Sequence, residues 1–233
     1  MGASTFAQRL DGVLEQVAQA ANRVGRSADE ITLIGVSKRK PVEDMQAAYD
    51  AGLRDFGENR AQEVRDKFPA FAPDGIIRHF IGHLQSNKVK YLPGRVDIIH
   101  TIDSTRIADS INQRFGAQGL TIPVLVEVNI SGEANKEGVA INEVFELAEY
   151  CSQQEHLDFC GLMTIGPLTD DRDRIRQAFR EMKLMSDQVE RRIGVPGGRA
   201  LLSMGMSGDF EIAIEEGATH VRVGTSIFGA REY

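Results

Sequence analysis

A closed (β/α)8 barrel preceded by one extra helix is the fold this sequence predicts. Eight short apolar runs alternate with amphipathic stretches through the 233 residues, and alternating β and α elements call for parallel strands joined by helical crossovers. Eight such units fit the usual barrel size of about 250 residues. No G-x-G-x-x-G turn and no Walker loop occurs, which argues against the runner-up, a doubly wound open sheet. Without a repeat array, low-complexity tract or linker, a single domain spanning 1–233 is expected.

The leading helix covers 5–24. The first strand is the run Thr-Leu-Ile-Gly-Val at 32–36, and Pro41 then suits the first position of a helix over 42–51. Strand 55–57 closes on Gly57 and is followed by a helix at 60–67. Strand 77–82 closes on Gly82, with a helix at 85–90. Strand 96–101 leads to helix 105–115, and strand 123–129 to helix 141–153. Strand 159–164 precedes the long polar-faced helix 172–192. Strand 200–204 stops at Gly205 before helix 210–216, and the last strand, 220–224, ends at Gly224.

Composition is ordinary for a globular protein, 42% hydrophobic and 26% charged. A net charge of −7 argues against broad electrostatic binding of nucleic acid. Cys151 and Cys160 lie in or beside apolar runs without metal-like spacing, so both are expected reduced. The first residues lack an apolar signal core, Phe6 stands where a myristoylation motif needs Ser or Thr, and no apolar run reaches membrane-spanning length. A cytosolic protein is expected. A closed barrel has no sheet edge to pair, so a monomer is the default.

Chemistry in such a barrel sits at the C-terminal strand ends. In order these are Lys38, Glu58-Asn59, His83, Asp103-Ser104, Asn129, Met163-Thr164, Met204 with Ser207, and Arg222 with Gly224-Thr225. Asp103, Ser104 and Asn129 read equally well as helix caps or turn formers. The loops after the seventh and eighth strands are the usual phosphate cradle of barrels. Ser207 and Thr225 add hydroxyl donors there, while Gly208 and Gly224 allow close approach of backbone. Ser207 also reads as a plain N-cap of the helix at 210–216. Lys38 continues the strand face of Ile34 and Val36. Burial there would free its amine for imine chemistry, whereas a solvated lysine is the plain alternative. A lysine at one loop and a phosphate nest at another suggest pyridoxal phosphate. Arg222, inside the last strand, needs an acceptor: a pyridine nitrogen or a glutamate such as Glu127. His83 reads as a polar pocket wall, and with no carboxylate or cysteine at ligand spacing zinc is not expected. Met163, Met204 and Met206 read either as core or as packing for a ring.

The strings Val36-Ser37-Lys38, Phe56-Gly57-Glu58-Asn59, His79-Phe80-Ile81-Gly82-His83-Leu84-Gln85-Ser86-Asn87-Lys88, Asn129-Ile130-Ser131-Gly132-Glu133, Gly161-Leu162-Met163, Leu202-Ser203-Met204-Gly205-Met206-Ser207-Gly208-Asp209 and Arg222-Val223-Gly224-Thr225 resemble the pyridoxal phosphate homeostasis proteins. These are single-domain relatives of the N-terminal barrel of alanine racemase, and the resemblance runs from about Ile31 to Gly229. It implies Lys38 as the Schiff-base lysine and phosphate contacts from Ser207, Gly208, Gly224 and Thr225. It also implies Arg222 near the pyridine nitrogen, with Asn59, His83, Met163 and Met204 lining the ring. Such proteins hold the cofactor and influence vitamin B6 and amino-acid homeostasis without robust turnover, which makes apo forms of pyridoxal phosphate enzymes candidate partners.

A racemase or other pyridoxal phosphate enzyme is the alternative. A racemase of the related fold takes its second base from a separate β domain, and the nine residues after Gly224 are not expected to supply one. A barrel enzyme acting on a phosphorylated sugar, with Lys38 in an aldolase-like imine, is a third possibility.

Overall fold

In a computed structural model, which describes residues 5–133 and 135–229, eight parallel strands close into a barrel in chain order, the first pairing with the last. The strands are β1 Thr32–Val36, β2 Asp55–Glu58, β3 Ile77–Phe80, β4 Ile98–Ile102, β5 Ile122–Val128, β6 Leu157–Thr164, β7 Leu201–Met206 and β8 His220–Val223. The helices are α1 Phe6–Arg23, α2 Val42–Asp50, α3 Ala61–Lys67, α4 Thr105–Gly116, α5 Val144–Ser152, α6 Arg172–Ile193, α7 Phe210–Glu215 and α8 Thr225–Phe228. The predicted barrel and its leading helix are therefore present.

Local chemistry sets the ends of α1. Thr5 caps it by accepting from the Gln8 amide, while the Gln8 side chain accepts the Thr5 amide in return. Its apolar stripe, Leu10, Val13, Val17, Ala20 and Ala21, is buried, and the helix packs on α7 and α8.

The core has two compartments. Phe56, Phe80, Val124, Val126, Val128, Leu202 and Met204 join helix residues such as Met45, Val64, Ile111 and Phe179 in the layer between barrel and helices. Because side chains alternate along a strand, the neighbours of these residues point inward. The interior row therefore includes Asp55, His79, His100, Glu127, Met163, Ser203, His220 and Arg222. Most of these are polar, and all but Asp55 are buried.

Several boundaries differ from expectation. β3 stops at Phe80 rather than Gly82, with the Ile81 amide donating to the Glu58 carbonyl at the end of β2. β4 starts at Ile98, since Asp97 is used as an acceptor by the Arg78 amide and guanidinium. The stretch at 85–90 is a 3-10 turn, Ser86–Tyr91, and that at 141–153 divides into a 3-10 turn and α5. α8, four residues long, is too short to show a helical period. Both cysteines are free thiols, and burial pushes Cys151 up to about 12. No helix of the described residues is long and apolar enough to cross a membrane.

Candidate functional site at the barrel mouth

Barrel closure decides what meets at the mouth. β1 lies between β8 and β2, with Ile34 in register with both Arg222 and Asp55. The loop after β1, carrying Lys38, thus sits between the loop after β8 and the loop after β2. A Cβ on Gly224 would come 3.5 Å from both the Cβ and the carbonyl of Val36.

The Lys38 loop is held from outside the barrel. Glu58, Glu63 and Lys67 form a cluster there. The Ser37 hydroxyl donates to Glu58 Oε1 at 2.8 Å. Lys67 Nζ donates to the Ser37 carbonyl at 3.0 Å and to Glu58 at 2.9 Å, and pairs with Glu63 at 3.0 Å. Glu63 also accepts the Arg39 amide at 2.7 Å. Among described non-glycine residues only Arg39 has positive φ, 61°, a conformation that persists where its surroundings fix it. Burial raises the Glu58 carboxyl above its ordinary range, against the pull of Lys67. Lys38 itself is exposed, the solvated alternative rather than the buried one. It stands two residues beyond the end of β1, past the point where the strand holds side chains in the interior.

Asn59 follows β2 and shares a cavity of about 200 Å³ with Lys38, Arg39, Arg60 and Glu63. Its Oδ1 is buried without a protein partner, the state of a group that accepts from a ligand. Gly82 is required beside it, because a Cβ there would lie 2.1 Å from the Asn59 carbonyl oxygen. His83, half exposed, lies 3.6 Å from Asp103 and 3.2 Å from Glu137. Sequence spacing showed no carboxylate near His83; the ends of β4 and the loop after β5 supply two.

At the far side, β7 carries a bulge between Ser203 and Met206. Gly205 makes it with φ of 93°, and a Cβ there would meet Ala213 at 2.5 Å. The bulge turns Ser207 toward β8, where its hydroxyl accepts the Gly224 amide at 3.3 Å. Ser207 is therefore a bridge between the two loops. It is not the cap of α7, whose N-cap is Asp209. Gly208 has open space around it and is exposed, as is Thr225, which opens α8. The first amides of a helix have no acceptor within it, so hydroxyls and free N–H groups converge here.

Arg222 lies on the floor between these loops, 4% exposed. Its guanidinium donates to Ser203 Oγ at 2.8 Å and to the Thr164 carbonyl at 2.9 Å. Burial lowers it to about 10, with Glu127 and Asp209 opposing, so it stays charged at neutral pH. Among the described residues it makes no ion pair; Glu127 acts through space. Met163 is buried in the inward row, in register with Glu127 and Ser203. Met204 is not at the mouth: it alternates away from Ser203 into the helix-facing layer.

Glu127 gives a pH prediction. Burial pushes its carboxyl up to about 7 from the usual 4.5, with the Arg222 charge opposing. The folded state then binds more protons than the unfolded chain between those values, so stability falls as pH rises through that window. At about 1.4 kcal/mol per tenfold change in proton affinity, the loss reaches about 3 kcal/mol. Urea unfolding at pH 5 and pH 8 is expected to show this loss in the parent and its reduction in Glu127→Gln. Equal pH dependence of the two proteins would remove Glu127 as its source.

The family profile described as "Alanine racemase, N-terminal domain" matches residues 10–232. The "Pyridoxal phosphate homeostasis protein" of Aquifex aeolicus is 43% identical over 226 residues, covering 97% of this chain and 98% of that protein. The chain belongs to the pyridoxal phosphate homeostasis protein family. Two solved structures are similar to this homeostasis-family barrel. An unknown protein from Bifidobacterium adolescentis superimposes with a TM-score of 0.90 at 37% identity, covering 95% of this chain and 94% of that one. PipY of Synechococcus elongatus, with pyridoxal phosphate bound, superimposes with a TM-score of 0.82 at 29% identity, covering 96% and 100%.

Proposed function

We propose that this chain binds pyridoxal 5'-phosphate at the barrel mouth and serves vitamin B6 and amino-acid homeostasis as a cofactor holder without robust turnover. The observation that carries it is the placement, on adjacent strand ends, of the Lys38 loop and the bridged Ser207–Gly224 loops, with the Arg222 guanidinium on the floor between them. The donor set fits the group. Ser207 and Thr225 present hydroxyls and Gly208 and Thr225 amides suited to a phosphate, while Gly224, whose amide is given to Ser207, allows close approach. Asn59 offers an orphaned buried oxygen, and Met163 lies in the inward row below. Lys38 would hold the cofactor through its aldehyde, its amine being the group suited to that carbonyl. When bound, the cofactor supplies a reactive aldehyde and an electron-withdrawing ring. His83, at the rim with Asp103 and Glu137, is the polar wall of the pocket.

Arg222 argues against strong carbanion chemistry. A guanidinium donates a hydrogen bond to a ring nitrogen without protonating it, so the ring remains a weak electron sink. Lys136, the other lysine described at the mouth, beside Gly208 and Asp209, is paired with Glu133 and donates to the Gly166 carbonyl, which leaves Lys38 as the base we assign, whereas racemisation removes a proton on one face and returns it on the other. A working racemase is the second reading, favoured by the family profile. We further assign the protein to the cytoplasm as a monomer, handing cofactor to apo-enzymes.

The test is direct. The loaded protein, incubated with L-alanine and other L-amino acids, is expected to leave optical rotation unchanged while restoring activity to an apo-aminotransferase. Turnover at about 1 s⁻¹ or faster, the low end of ordinary enzymes, contradicts the holder reading. For the phosphate loops, each of Ser207→Ala and Thr225→Ala is expected to cost about 1.5–3 kcal/mol of binding, roughly tenfold to hundredfold in affinity. Titration of the double variant with pyridoxal phosphate checks this, and parental affinity would reject the assignment.

A further inference from the structure

A chain of hydrogen bonds crosses the barrel interior from the far end of the strands to Arg222. Asp55 opens β2, at the end of the barrel opposite Lys38, and is partly exposed. Its Oδ1 lies 2.9 Å from His79 Nε2 on β3. His79 Nδ1 lies 3.0 Å from His100 Nε2 on β4. His100 Nδ1 lies 3.0 Å from Ser203 Oγ on β7, which accepts from Arg222 at 2.8 Å. His79, His100, Ser203 and Arg222 are all buried, and the His220 ring packs against both other imidazoles.

While both imidazoles are neutral, the two ends dictate every proton position between them. A carboxylate only accepts and a guanidinium only donates. His79 must therefore carry its proton on Nε2, leaving Nδ1 to accept. His100 must carry its proton on Nε2 and accept at Nδ1 from the Ser203 hydroxyl. Ser203 Oγ then keeps a lone pair for Arg222. With both rings neutral, every bond is made once and all donors point toward Asp55. An imidazolium at His100 would put a second positive charge beside the buried Arg222 guanidinium. Bonds aligned this way polarise one another.

We propose that Asp55 is a positioning residue. Through His79, His100 and Ser203 it locks the donor direction of the chain, and so fixes the guanidinium plane of Arg222, which Ser203 and the Thr164 carbonyl hold on one side. The remaining N–H groups of Arg222 are thereby aimed at the mouth. Only this last link rests on the pyridoxal phosphate reading. An asparagine at 55 can donate as well as accept, so it permits the reversed direction that a carboxylate forbids.

The experiment has two arms. Long-range proton–nitrogen NMR of 15N-labelled parent, without cofactor, reads the tautomers directly. His79 and His100 are expected as single species with Nε2 protonated and Nδ1 bare. An imidazolium at His79, or a proton on His100 Nδ1, overturns the directed chain, and this arm stands whether or not any variant folds. In the second arm, Asp55→Asn is expected to lose the single tautomer at His100 and, loaded with pyridoxal phosphate, to shift the visible absorption band. Asp55→Glu is expected to restore both. Unchanged tautomers and an unchanged band in Asp55→Asn overturn the positioning role. If the parent takes up no pyridoxal phosphate, the cofactor reading falls while the tautomer arm still decides the chain.

Discussion

Lys38→Ala is expected to fold like the parent and to lose the borohydride-reducible visible band altogether. The two outcomes separate because Lys38 is exposed, and a surface substitution usually changes stability by no more than about 0.5 kcal/mol. The loop that carries it is held by its neighbours: Ser37 through Glu58 and Lys67, and Arg39 through Glu63. None of those contacts uses the Lys38 amine. What the substitution removes is the nitrogen proposed for the C=N bond, which the phosphate contacts proposed for Ser207 and Thr225 would not replace. Spectra before and after borohydride, with thermal melts alongside, check both parts. A reducible band retained in Lys38→Ala would move the covalent bond to another lysine.

Arg222→Met is expected to be the most destabilising substitution in the barrel floor, costing about 2–5 kcal/mol for two buried acceptors left without their charged donor. Methionine keeps much of the volume, so the cost is electrostatic. The Thr164 carbonyl and Ser203 hydroxyl each lose a charged donor, and the buried Glu127 loses the charge that offsets its own. Glu127→Gln added to Arg222→Met should recover part of the loss, because it removes the acid left without compensation. Urea unfolding of both single variants and the double closes the cycle. Strict additivity, or a loss below about 1 kcal/mol for Arg222→Met, would show that the guanidinium does not organise the floor. The same variant should bind pyridoxal phosphate with a changed absorption band.

The barrel was legible because the apolar runs and their spacing are properties of the chain itself. Lys38, Asn59, Ser207 and Thr225 were legible as strand-end residues for the same reason: order along the chain fixes which end is the mouth. Of the polar groups in the interior row, only Arg222 and Glu127 were read; the chain of partners behind Arg222 was not. Asp55, His79, His100, Ser203 and Arg222 come from five strands, and only register puts Ser203 beside a histidine 103 residues away. Within β7, alternation sends Ser203 inward and Met204 outward, a choice that an apolar run does not announce. The Gly205 bulge then turns Ser207 into a bridge to Gly224, which resembles a plain helix cap on paper. Strand parity left open whether Lys38 is buried or solvated; parity lapses once the strand has ended at Val36, and the side chain is exposed. The carboxylates around His83 arrive from Asp103 and Glu137, residues with no sequence relation to it.

The central claim, a cofactor held covalently at the mouth, is tested most directly by one measurement. The protein is loaded with pyridoxal phosphate, reduced with borohydride and digested, and the modified peptide is identified by mass spectrometry. A single pyridoxyl label on Lys38 is the predicted result. A label on Lys40, Lys67 or any other lysine in its place, or no label at all, would contradict the account.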